Sequence, residues 1–299
     1  MDPIVFVLIA IAAVLHVTWN ILLKTAGEPL RAATVGMVAG AVVLIPGALI
    51  GWLAVGQPAL SRQGLALGIG SGVLEAVYFM FLSAAYRRGD LSVVYPVARG
   101  SATFLAVVAG VVVLGERLGG VGFVGVGCLL GGFLWLQRPW RALGIGSGRS
   151  FEPAVGFALA TGLTIAAYST VDRVGSRLIA PWLYAAILWG TTAAVLVAWT
   201  GLKRALDSSL PAGPALTRRA VARASLGGLL TVAAYLCILV AFTLAPLTAV
   251  APLRESAIVL ASGWGALRLR EAEGRQEAAA RIAAAGLIVI GAILLGLEG

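Results

Sequence analysis

The stretch "SGVLEAVYFMFLSAAYRRGDLSVVYPV", residues 71–97, returns 156 residues later as "GGLLTVAAYLCILVAFTLAPLTAVAPL", residues 227–253. Gly72, Leu74, Ala85, Leu91, Val94 and Pro96 recur as Gly228, Leu230, Ala241, Leu247, Val250 and Pro252. An internal repeat constrains architecture more than any single motif, and this one extends both ways. Downstream, Glu116 of "VVVLGERL" is echoed by Glu271 of "ALRLREAE" once a single residue is deleted. Upstream the shift is 148: His16, Asn20 and Lys24 fall on Thr164, Tyr168 and Asp172, and Gly27 on Gly175. The four-residue spacing places each trio along one helical face. Eight extra residues reconcile the two shifts, and "LDSSLPAGPALTRR", residues 206–219, supplies them.

Each copy is too apolar for water. Of 299 residues 60% are hydrophobic and 12% charged, with a mean hydropathy of +0.98, and a soluble fold has nowhere to hide that much apolar surface. The apolar segments run for roughly 20 to 24 residues, enough for a helix to cross about 30 Å of hydrocarbon and twice the length of a barrel strand. They predict helices at 3–23, 32–55, 64–86, 91–114, 118–137, 153–172, 179–200, 223–244, 247–267 and 280–297. The expected fold is an all-α integral membrane protein whose ten transmembrane helices form two five-helix inverted-topology repeats. Residues 1–137 make the first repeat, 138–152 ("RPWRALGIGSGRSFE") the linker, and 153–299 the second. Five is odd, so the second copy enters the membrane from the opposite side, the frame on which many secondary transporters rock about a midplane site.

The first segment follows Met1-Asp2-Pro3, with neither a basic leader nor a small-residue cleavage site, and reads as a retained helix. Cys128 and Cys237 lie in different halves without a metal-binding pattern and read as small core residues. The net charge of +9 is topological, which argues against nucleic acid as a partner. Loops between helices 1–2, 3–4, 5–6, 7–8 and 9–10 hold sixteen Lys and Arg, and the other face holds four: Arg62, Arg117, Arg173 and Arg177. By the positive-inside rule the sixteen face the cytoplasm and both termini lie outside.

Two basic residues, Arg99 and Arg254, fall inside spans. Glu75 is eleven residues from either end of its predicted helix, where an ionisable group facing lipid costs at least about 2.5–3.5 kcal/mol. It shares a face with Gly64, Gly68 and Gly72 and is expected to point inward. Arg99 lies eight residues into its helix, one turn after Pro96, as Arg254 and Glu255 follow Pro252. Prolines there predict two broken helices in equivalent positions, the strongest sequence pointer to a substrate site. Two readings of Arg99 stand: a fixed salt bridge with Glu75, or a functional role in which it binds an anionic group of a solute or the Glu75–Arg99 pair opens and closes during transport. His16 either couples to protons or bonds across helices. Asn20, Tyr95, Tyr168 and Tyr235 offer pocket-lining surface, and Lys24 and Asp172, near helix ends, are candidate gates.

At this point "YPVARGSATFLAVVAGVVVLGERL" and "APLRESAIVLASGWGALRLREAE" resemble the paired EamA repeats of the drug/metabolite transporter superfamily, over nearly the whole chain. The recurrent positions match at Pro96, Glu116, Pro252 and Glu271, while "LRLRE" departs from the usual "LGE". The resemblance implies a bacterial inner-membrane carrier, often an exporter of amino acids, nucleosides or other metabolites. Many members carry both termini in the cytoplasm, opposite to the charge count. A secondary transporter of a small molecule is therefore expected, as monomer or homodimer in the lipid bilayer, with protons as a candidate coupling ion. A lipid-carrier flippase or accessory subunit is the alternative and would need a lateral polar groove. No cofactor, metal or enzymatic motif is read, and no Walker sequence that would use ATP.

Overall fold

A computed structural model describes residues 1–24, 28–89, 91–137, 153–206, 217–254 and 275–298. These form α1 (Pro3–Lys24), α2 (Pro29–Ala54), α3 (Arg62–Tyr86), α4 (Leu91–Val112), α5 (Gly120–Gln137), α6 (Pro153–Leu178), α7 (Pro181–Leu206), α8 (Arg218–Leu244), α9 (247–254) and α10 (Arg275–Glu298). Ten helices and no strand are present among the described residues. Five of them, α2, α3, α6, α7 and α8, are long and apolar enough to cross a bilayer. Further apolar stretches run through Pro3–His16, Val97–Val112, Gly120–Gly132 and Gly286–Leu295. Side chains such as Val14, Val42, Ile50, Phe104, Val112 and Phe123 are exposed on the outside, while Tyr184, Leu188, Trp189 and Phe242 fill the centre. Apolar residues on the perimeter and polar ones within is the arrangement that hydrocarbon solvent demands. The chain is a multi-pass, all-helical membrane protein.

The apolar pattern finds the helices but shortens several. α6 continues to Leu178, α7 to Leu206, and α8 begins at Arg218, because a helix keeps its hydrogen bonds when charged residues carry it beyond the hydrocarbon. Starts are set locally: Ser61 accepts from the Gly64 amide and Thr217 from the Ala220 amide, both at 3.2 Å, each satisfying an otherwise orphaned donor. Among the described residues, no interruption occurs at Pro96 or at Pro252. Each is the sixth residue of a helix that stays regular through it, so the missing N–H costs one intrahelical bond near the start and no break. Residues 255–267 of the predicted ninth helix, and the linker 138–152, lie outside the described residues.

The helices pair mainly across the two halves. α3 lies on α6 and α7, and α8 lies on α1 and α2; α4 packs on α6, α2 on α7, and α5 on α10. Small residues permit the closest approaches. A Cβ on Gly228 would stand 1.9 Å from the Gly36 carbonyl oxygen, and one on Gly72 2.6 Å from that of Leu188. The repeated glycine therefore does the same work in α8 against α2 as in α3 against α7. Gly228→Leu should force α2 and α8 apart and cost about 3 kcal/mol or more, read as a lowered thermal midpoint in detergent. A change within error would remove this contact from the account.

Candidate functional site

The polar residues of the helices converge on the seam between the halves. On α3 the Gly64, Gly68 and Gly72 face packs on Ile179, Ile187 and Leu188, which buries Glu75 to 4% exposure. Glu75 accepts from the Thr192 hydroxyl at 3.3 Å. Arg99, in the third turn of α4, is 6% exposed and reaches His16 Nε2 at 3.2 Å. No Glu75–Arg99 ion pair, one of the two readings of Arg99, is present among the described residues: Arg99 meets His16 of α1 and Glu75 meets Thr192 of α7. On the other side of the ring, Trp19 Nε1 lies 3.1 Å from His16 Nδ1. A neutral imidazole has a single acceptor nitrogen, so it can accept from only one of the two donors at a time, and the tautomer decides which.

Asp172 is not near a helix end, where the sequence reading put it. α6 runs six residues past it, and its side chain is fully buried. Tyr184 donates to Asp172 Oδ1 at 2.8 Å, and Tyr235 donates to Oδ2. Aromatic edges continue outward from this clamp: Tyr78–Tyr168 and Tyr168–Tyr235 centroids are each 6.0 Å apart, and Trp189–Tyr235 5.7 Å. Arg254, eighth residue of α9, projects its charge on Glu75, Asp172, His16, Tyr168 and Tyr235. The Arg99 charge acts on Tyr78 and Tyr168. Two guanidiniums, two carboxylates, an imidazole and four phenols therefore share one region, drawn from α1, α3, α4, α6, α7, α8 and α9.

Several candidates contribute less detail. Pro252 is buried in α9. Asn20 and Lys24 belong to α1, and Tyr95 and Pro96 to α4, with side chains outside the described set. Glu255 and Glu271 are also outside the described residues. Sequence reasoning found the helix at 179–200 but no site residue on it: Tyr184 and Thr192, both 0% exposed, bond to Asp172 and Glu75. The signal available was the Thr191-Thr192 pair inside an apolar span. It also placed Arg173 in a loop, whereas α6 carries it inward to Glu116 Oε1, 3.2 Å from Arg173 Nε.

Glu116 does more than pair. Its oxygens accept the Leu247 and Thr248 amides at 2.7 and 2.9 Å, so a carboxylate from the first half caps the start of α9, where the helix dipole favours negative charge. Gly115 makes this possible with φ +64, a conformation open chiefly to glycine. Arg173 also donates to the Phe242 carbonyl. The α4–α5 loop, the end of α6 and the α8–α9 junction are thereby tied together on one face of the bundle.

These features define a multi-pass helical membrane protein with a buried, charged seam. No protein-family model matches the chain, and no curated protein does. Among 28 solved chains that match, one crystal structure, described only as that of a "protein", is similar over 98% of this chain and 99% of its own, with a TM-score of 0.69 and 20% sequence identity. At that identity the likeness concerns the fold, which is one already seen entire in another protein.

Proposed function

We propose that the chain is a secondary transporter of the drug/metabolite transporter superfamily, built from two EamA-type repeats in opposite orientation. It moves a small metabolite across the bacterial inner membrane by alternating access, as an exporter. The observation that carries this reading is the charged and aromatic seam, to which α1, α3 and α4 of one half and α6, α8 and α9 of the other contribute. Burying such groups in a membrane is costly, and an ordinary helical scaffold has no need of them. The inverted repeat is supported by the helix pairing: exchanging the halves turns α3–α6 into α8–α1 and α3–α7 into α8–α2, and leaves α2–α7 and α5–α10 unchanged. An assembly of that kind rocks about its seam.

Arg99 and Arg254 suit an anionic group, and the rings of Tyr78, Tyr168 and Tyr235 suit the apolar body of the same solute. Glu75 is the proton-carrying group, so a proton gradient drives the cycle without ATP. The sixteen-to-four charge split puts both termini outside. The flippase alternative needs a polar lateral groove. The groove of about 470 Å³ between α2, α7 and α8 is lined by Gly40, Val43, Leu44, Trp182, Leu229 and Leu236, which are apolar, so this groove is not the one the flippase reading needs.

A thermal-stability screen of the purified protein against amino acids, organic anions, nucleosides and sugars tests the reading. A solute at about 100 times its Kd should add about 2.7 kcal/mol, with organic anions prominent. Stabilisation by none of the four classes would contradict it.

A further inference from the structure

Next to the arginines, the seam holds a polar feature that solute binding does not use. Both oxygens of Asp172 are occupied by phenols, those of Tyr184 and Tyr235. Glu75 is served differently. Its donor, Thr192 Oγ1, also lies 3.0 Å from the Gly72 and Leu188 carbonyls. A hydroxyl has one proton to give, so Glu75 competes with two nearer acceptors, which leaves it room for a proton of its own.

Two serines extend this acid pair in one direction. Ser71 stands one turn before Glu75 on the same α3 face and lies beside Asp172 and Tyr184. Ser176 stands one turn beyond Asp172 on α6. Their exposures are 0% and 2%, and neither hydroxyl forms a well-shaped hydrogen bond. Ser101, Thr103, Thr170 and Thr231, by contrast, each bond back to the carbonyl one turn earlier. The start of α3 abuts the α6–α7 turn, Gly64 against Ile179 and Gly68 against Ile187 and Tyr184, so both serines lie on the side of the acids that faces this turn. From Asp172 to the end of α6 is six residues, about 9 Å at the helical rise. The groups around the acids are Tyr78 on α3, Tyr168 on α6, Tyr184 on α7, Tyr235 on α8 and Arg254 on α9. Arg99 on α4 and His16 on α1 complete the surroundings.

A buried hydroxyl whose hydrogen bonds are poorly shaped is costly and calls for a reason. A hydroxyl able to accept on one side and donate on the other is what a proton relay requires. We propose that Ser176, Tyr184 and Ser71 form a proton path joining the Asp172–Glu75 pair to the face that carries the α6–α7 turn, apart from the arginine-lined part of the seam. At each station an incoming proton forms one O–H bond as the resident proton leaves for the next oxygen, so no station changes in sum. The transferred proton comes to rest on the Glu75 carboxylate and leaves by the reverse steps. This rests on Glu75 being the proton carrier of the proposed transporter, but its test needs no solute.

The full-length protein in lipid vesicles is moved from H₂O to D₂O, and the infrared carbonyl band of the protonated carboxyl is followed as its proton exchanges. Glu75→Gln should abolish the band; its survival would overturn the assignment. Ser71→Ala with Ser176→Ala should slow the exchange by about 10²-fold, the lower end of what a positioned proton-transfer group contributes. Tyr184→Phe should slow it as well and carries the test if the serine pair fails to fold. Wild-type exchange rates in the folded variants would overturn the path. A slowed exchange in a protein that moves no solute would instead count against the transporter reading alone.

Discussion

Glu116→Ala is expected to lower the unfolding free energy by about 3–5 kcal/mol, the cost of removing one partner from a largely buried ion pair. The side chain is 10% exposed and Arg173, its partner, 13%. Truncation leaves the guanidinium with the Phe242 carbonyl alone and strips the Leu247 and Thr248 amides of their acceptor. Glu116→Gln keeps an oxygen for one of those amides and should lose less. Arg173→Ala should be milder than Glu116→Ala, because the caps on α9 survive. Thermal unfolding of the three variants in detergent reads the order. Equal midpoints for Glu116→Ala and wild type would mean the tie is incidental.

Arg99→Gln is expected to weaken binding of an organic anion by about 10²-fold, since truncating one partner of a buried charge pair costs about 2–5 kcal/mol. Glutamine retains donors that can still meet His16 Nε2, which Arg99 approaches at 3.2 Å, so the fold should hold. Equilibrium binding of whichever anion stabilises the wild-type protein checks this. Unchanged affinity would leave Arg99 as an internal pairing group and shift anion recognition to Arg254.

The frame of the molecule was legible because hydrocarbon imposes helix length, and because the repeat doubled every signal: Gly72 and Gly228 share a role in packing as they share a place in sequence. The site was harder to read, since the copies diverge where chemistry is carried. Glu75 has Thr231 as its repeat counterpart, His16 has Thr164, and Lys24 has Asp172. Spacing alone could place Glu75, Arg99 and Asp172 on helices, but partners are chosen by neighbours distant in sequence. His16 reaches Arg99 across 83 residues and Thr192 reaches Glu75 across 117. Hydropathy also concealed how far α6 extends, and so made Asp172 look like an end and Arg173 like a loop. The prolines misled for a related reason: a proline early in a helix costs one bond, and the chain remained helical at Pro96 and Pro252.

The most direct test of the central claim is solute flux into vesicles holding the purified protein, measured against solute concentration under an imposed pH gradient, with the stabilising solute as cargo. The account predicts flux that saturates and follows the gradient in the wild type. In Glu75→Gln, binding should persist while dependence on the gradient disappears. Flux that rises linearly without saturating, or gradient-driven flux undiminished in Glu75→Gln, would contradict it.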